Sequence, residues 1–146
     1  MTRKSFSLIE VLLAVAIFSL VASFFIFLII ESYKINERAK DLSLATVLAE
    51  EGMEAVRSIR DVDFSKLVSH SRSYCLAIED NHWVLKQKKN RNTVIDCIEP
   101  IGKFSRQLYI STVNATSRKI TVVVSWQPIS GASREVRFFS WLTNWR

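Results

Sequence analysis

Residues 4–30 read KSFSLIEVLLAVAIFSLVASFFIFLII, and the fold turns on them. From Val11 to Ile30 there are twenty residues without a charge, proline or glycine. As an α-helix rising ~1.5 Å per residue, that run spans roughly 30 Å, the thickness of the hydrocarbon core of a bilayer. It is long enough to cross a membrane. A secretory signal has a shorter apolar core of ~7–15 residues that ends in a small-x-small cleavage site. Here Ala22-Ser23 lies inside the run, with large apolar residues still to come. Arg3 and Lys4 precede the run and no basic cluster follows it closely, which keeps the N-terminus cytoplasmic and places the chain beyond Ile30 on the far side.

One carboxylate, Glu10, interrupts the otherwise uncharged stretch from Phe6 to Ile30. An ionisable side chain at membrane depth calls for a function and a partner. Cleavage between Ser5 and Phe6 would create that partner, a cationic amine on Phe6 that lies four residues before Glu10. The carboxylate of one chain could then neutralise the terminal amine of another.

The order Lys4-Ser5/Phe6-Ser7-Leu8-Ile9-Glu10, followed by an apolar helix, resembles the type IV pilin family. Prepilins of that family carry a basic leader, a cleavage point, then Phe-[Thr/Ser]-Leu-[Ile/Leu]-Glu. The resemblance implies that a membrane prepilin peptidase removes residues 1–5 and methylates the amine of Phe6. It also implies as partners other pilin subunits and a filament assembly platform. Gly usually precedes the cut in the family; Ser5 stands there in this chain, small enough for cleavage to proceed, at a reduced rate. Ala49 to Asp61 (AEEGMEAVRSIRD), followed by Phe64, is similar to the helix end of minor pilins of the pilin-modification type, which implies a minor or accessory subunit.

Between Met1 and Glu51 there is no glycine or proline, so the helix is expected to continue past the membrane. Ile35, Ala39, Leu42, Thr46, Ala49, Met53 and Val56 recur at spacings of four and three, and Ala45, Leu48, Ala55 and Ile59 widen the stripe. Pairs such as Glu31/Lys34 and Glu54/Arg57 at i,i+3 add only ~0.2–0.5 kcal/mol each. Gly52 costs about 1 kcal/mol relative to Ala in a helix, and marks either a bend or a close contact with a sheet. The expected organisation is a leader over 1–5, a transmembrane and filament-core helix over 6–30, an amphipathic helix over 31–61 and a head over 62–146.

After Asp61 the period changes to two. Tyr74 to Glu79 and His82 to Gln87 flank Asp80-Asn81 as a hairpin; Thr93 to Ile98, Gln107 to Asn114, Lys119 to Gln127 and Glu135 to Trp145 follow. In Ile120-Thr121-Val122-Val123-Val124-Ser125-Trp126 the even positions form an apolar face. The fold class is therefore α+β: one long N-terminal helix whose second half packs on an antiparallel sheet.

Two cysteines, Cys75 and Cys97, would meet an oxidising compartment on the far side of the membrane, where they are expected to pair; two separate buried thiols are the alternative. A bridge would close a loop of about 23 residues and contribute on the order of 3 kcal/mol in the chain-entropy model.

The other residues argue against catalysis. Three glycines, Gly52, Gly102 and Gly131, cannot form a phosphate-binding loop, and the two histidines, His70 and His82, belong to no metal-binding pattern. No enzyme, no cofactor and no metal is expected. From Glu31 to Leu67 there are six Lys/Arg and eight Asp/Glu, net −2; from Val68 to Arg146 there are twelve and five, net +7. Lys86, Lys88, Lys89 and Arg91 form the densest basic run and a candidate anion-binding site, against which stands a plain solvated loop. In the tail from Arg137 to Arg146, Phe138, Trp141 and Leu142 fit strand packing.

The expected function is structural: a minor pilin or pseudopilin, held by a single pass in the cytoplasmic membrane with its head outside, then assembled into an extracellular or periplasmic filament. Two other readings stand beside it. One is a bitopic membrane-anchored protein with a coiled-coil helix; the other is a competence or adhesion subunit whose basic head binds DNA.

Overall fold

The structure, a computed structural model, describes residues 7–90, 93–128 and 131–145. Its elements are helix α1 (Leu8–Val62), a 3-10 turn (Phe64–Lys66) and eight strands. The strands are β1 (Cys75–Glu79), β2 (His82–Lys86), β3 (Lys88–Asn90), β4 (Thr93–Ile95), β5 (Glu99–Ile101), β6 (Phe104–Asn114), β7 (Ser117–Trp126) and β8 (Arg134–Thr143). The chain forms two compact units, Met1–Lys40 and Asp41–Arg146.

In the first unit α1 begins where the Ser7 carbonyl accepts from the Glu10 and Val11 amides at 3.0 and 3.3 Å. The apolar run is helical throughout and its large side chains are exposed, Phe18 at 73% and Leu20 at 74%. Its two hydroxyls are satisfied within the helix: Ser19 Oγ donates to the Val15 carbonyl and Ser23 Oγ to the Ser19 carbonyl, both at 2.8 Å. No polar backbone or hydroxyl group of the run then needs water, the condition for a helix in hydrocarbon. Among the described residues α1 is the one helix long and apolar enough to span a bilayer, with a mean hydropathy of 2.9 over its most apolar window.

In the second unit the rest of α1 lies on one face of an antiparallel sheet of order β5-β6-β7-β8. Strands β6, β7 and β8 form a meander, with Ile120 opposite Ile110 on one side and Ser140 on the other. Period two explains the packing. Ile120, Val122, Val124 and Trp126 point to the helix and are 5% exposed or less, as expected of the even-numbered face. They meet Ala45, Ala49, Met53, Val56 and Ile59 of α1.

The buried stripe of α1 starts with Asp41 and Ala45, while Leu42 and Ile35 are exposed at 51% and 56%. The helix ends at Val62, and Asp63 caps the following turn by accepting from the Ser65 amide at 2.9 Å; the Ser65 side chain first, and its amide second, hold the Asp63 carboxyl below the ordinary range.

Hairpin β1–β2 turns on Asp80 and Asn81, both left-handed at φ 49° and 62°. Two consecutive positive-φ residues are what a two-residue hairpin with the sheet's natural twist requires, and Asp and Asn tolerate them best after Gly. Strand β4 ends at Ile95, short of the expected Ile98, and pairs with β3, which the periodicity did not mark. Strand β6 starts at Phe104 rather than Gln107, and β5, Glu99–Ile101, pairs with it.

Candidate functional site

Glu10 sits in the first turn of α1 with its side chain exposed. Its carboxylate has no hydrogen-bond or ion-pair partner among the described residues. Ser5 and Phe6, the expected cleavage and methylation positions, lie outside the described residues.

Gly52 answers the question its sequence left open. A Cβ there would stand 3.1 Å from Val122 Cγ1 and 3.2 Å from Arg106 Cδ. The glycine thus permits close approach of helix and sheet. Beside it lies the head's buried cation, Arg106, 2% exposed. Its Nε and Nη2 donate to Glu99 Oε2 and Oε1 at 3.2 and 2.9 Å. Its Nη1 donates to the Leu48 carbonyl at 3.0 Å and lies 3.3 Å from Glu51 Oε2. A guanidinium suits this place because its planar fork meets one carboxylate with two donors and keeps others for the helix. Lys103 at the β5–β6 turn pairs with buried Asp41, a second ionic tie between helix and sheet.

Cys75 and Cys97 are joined, with Cα atoms 5.3 Å apart. Around the bridge, Ser73 Oγ donates to the Cys97 carbonyl at 2.9 Å and the Ser73 amide to Asp96 Oδ1 at 3.0 Å. That amide bond, more than the nearby Arg72, holds the Asp96 carboxyl below its ordinary value. Tyr74 bridges to Leu108 of β6, and Glu99 Oε2 accepts from the Leu76 amide at 3.4 Å. The bridged loop is thereby tied to the carboxylate that holds Arg106.

The basic run is dispersed. Lys86 ends β2 and pairs with Glu79 across the hairpin at 2.6 Å. Its side chain joins Lys66, His70 and Tyr74 around a shallow depression in which Lys88 has no part. Lys88 and Lys89 lie on β3, Lys88 exposed; Arg91 lies outside the described residues.

In β8, Val136, Phe138 and Ser140 are half-buried and Leu142 is 3% exposed, facing the helix. Phe139 and Trp141 face away from it, exposed at 59% and 58%. Trp141 is therefore no packing residue: it and Leu142 are neighbours on one strand and must take opposite faces. Sequence reasoning missed Arg106, Glu51 and Glu99. The signal was the register, since Arg106 shares the inward parity of Phe104, Leu108 and Ile110, and a charge there requires partners.

Residues 1–26 match the family model described as the prokaryotic N-terminal methylation motif. The match takes in residues 1–5, the stretch to Glu10 and most of the apolar run, and it marks the N-terminus as similar to type IV prepilins. No curated protein and no solved structure is significantly similar to the chain.

Proposed function

We propose that this chain is a structural subunit of a type IV pilus or a secretion-type pseudopilus, with a minor or accessory place in the filament. The observation that carries the reading is the methylation motif over residues 1–26, continuous with an apolar run to Ile30 whose only charge after Lys4 is Glu10. In this reading prepilin peptidase removes residues 1–5, Phe6 becomes the methylated N-terminus, residues 6–30 form the membrane and filament-core helix, and the head beyond stays outside. Glu10 supplies the assembly signal. A carboxylate among apolar helices attracts a neighbouring chain's amine with little screening, and the pair offsets its desolvation only when the register is right.

Intact mass of the chain from cells with and without prepilin peptidase tests this directly. The expected result is loss of residues 1–5 and gain of one methyl group only where the peptidase is present, with the processed form recovered in sheared filaments. An assembled chain that still starts at Met1 or Thr2 would favour the bitopic anchor.

A further inference from the structure

The face of the sheet that turns away from α1 is uneven: Val123 on it is 7% exposed, while Phe139 and Trp141 are exposed at 59% and 58%. Toward β8, the edge strand, Arg137, Phe139 and Trp141 follow one another at alternate positions, ~6.6–6.8 Å apart along the strand. Register places Lys119 of β7 opposite Trp141 and Thr121 opposite Phe139, with Tyr109 of β6 next in that row. The rings of Phe139 and Trp141 meet edge to face, centroids 5.4 Å apart and planes at 86°, and Lys119 Nζ lies 5.5 Å from the Phe139 centroid. Arg137 Nε donates to Glu135 Oε1 at 2.7 Å in an exposed pair, the kind that exchanges readily for another anion.

We infer that this face is a binding site for single-stranded nucleic acid, with a base stacked on Trp141, a second against Phe139, and the backbone phosphates met by Lys119 and Arg137. Two independent features converge on that occupant. Solvent-exposed aromatic side chains on a sheet offer stacking to an unpaired base, and adjacent cations track the backbone. The segment from Val68 to Arg146 has a net charge of +7, complementary to a polyanion and of no use to a neutral polysaccharide. The edge-to-face contact orders the two rings against each other before a ligand arrives, and Trp141 keeps 58% of its surface exposed. A duplex keeps its bases stacked inside and cannot use the rings.

The test uses the full chain in detergent and the fluorescence anisotropy of a labelled oligothymidylate of about twelve nucleotides, within the span such sites cover. The expected result is saturable binding that weakens as salt rises. Trp141→Thr and Phe139→Thr should each weaken it by roughly 5- to 160-fold, the range measured for loss of one stacking ring. Trp141→Phe should retain most of the affinity. Lys119→Gln should flatten the log–log salt dependence by about 0.7, one single-strand phosphate contact. Ile78→Thr, which removes an apolar side chain 63% exposed on β1, should change nothing. Absence of saturable binding overturns the inference, as does parental affinity in both threonine variants with the Cys75–Cys97 bridge intact. So does binding of a duplex of the same length, or of phosphatidylglycerol vesicles, as tight as that of the single strand.

Discussion

Arg106→Met removes the guanidinium that joins helix to sheet while keeping a flexible apolar stem in the same space. Deleting one partner of a buried ion pair costs ~3–5 kcal/mol when the charge left behind stays dry. Here the abandoned carboxylates are partly wet: Glu99 keeps 24% of its side-chain surface exposed and Glu51 46%. Glu99 also keeps the Leu76 amide as a donor. Both can rehydrate, which lowers the expected loss to about 2–3 kcal/mol. Urea unfolding of the full chain in detergent, followed by tryptophan fluorescence, to which Trp126, 5% exposed in the core, contributes, reads this. Arg106→Met/Glu99→Met should recover at least ~1 kcal/mol of the loss, because the charge left unpaired by the first change is removed by the second. A single variant within about 0.5 kcal/mol of the parent, or a double variant that merely sums the two losses, would refute the idea that an ionic tie locks the helix to this sheet.

Gly52→Ala gains about 1 kcal/mol of helix propensity, but its Cβ meets Val122, fully buried on a central strand, and Arg106, pinned by Glu99, Glu51 and the Leu48 carbonyl. Neither can give way, overpacking costs ~1–3 kcal/mol, and a lowered urea midpoint is expected; a raised one would show that the helix can lift from the sheet at little cost. Asp96 has a lowered carboxyl pKa in the folded head, so its contribution is complete above the ordinary value near 3.8 and fades as pH falls through the folded value. The difference in thermal midpoint between the parent and Asp96→Asn should therefore be constant from about pH 7 to 5 and shrink below about pH 4; a difference that grows in acid would reverse the assigned sign. Glu10→Val should insert into the membrane and be cut after Ser5 as before, since burying a carboxylate at a helix centre costs ~2.5–3.5 kcal/mol and less near the edge. It should enter filaments poorly, with the Phe6 amine left unpaired, and incorporation at parental stoichiometry would exclude charge pairing as the assembly signal.

The elements that local rules decide were legible. Val11 to Ile30 is apolar beyond any competing pattern, Asp80-Asn81 carries the backbone preference of its turn, and Ile120 to Trp126 shows its inner face by strict alternation. What long-range pairing decides was not legible. Strand β3 has Lys88, Lys89 and Asn90, none with strand propensity, and exists through its ladder with β4. Arg106 reads as a surface residue until Glu99, Glu51 and the Leu48 carbonyl are brought round it from positions 7, 55 and 58 residues away. The outward aromatics fall between these cases. Residues adjacent on a strand cannot share a face, so Leu142 turned inward commits Trp141 outward. The even-numbered apolar set of β7 fixes that choice for β8, because Val122 lies opposite Phe138 and Ile120 opposite Ser140. A single register thus buries Phe138 and Leu142 under the helix and, by the same step, sets Phe139 and Trp141 beside Lys119 on the open face. Neither surface can be altered by a one-residue slip without destroying the other.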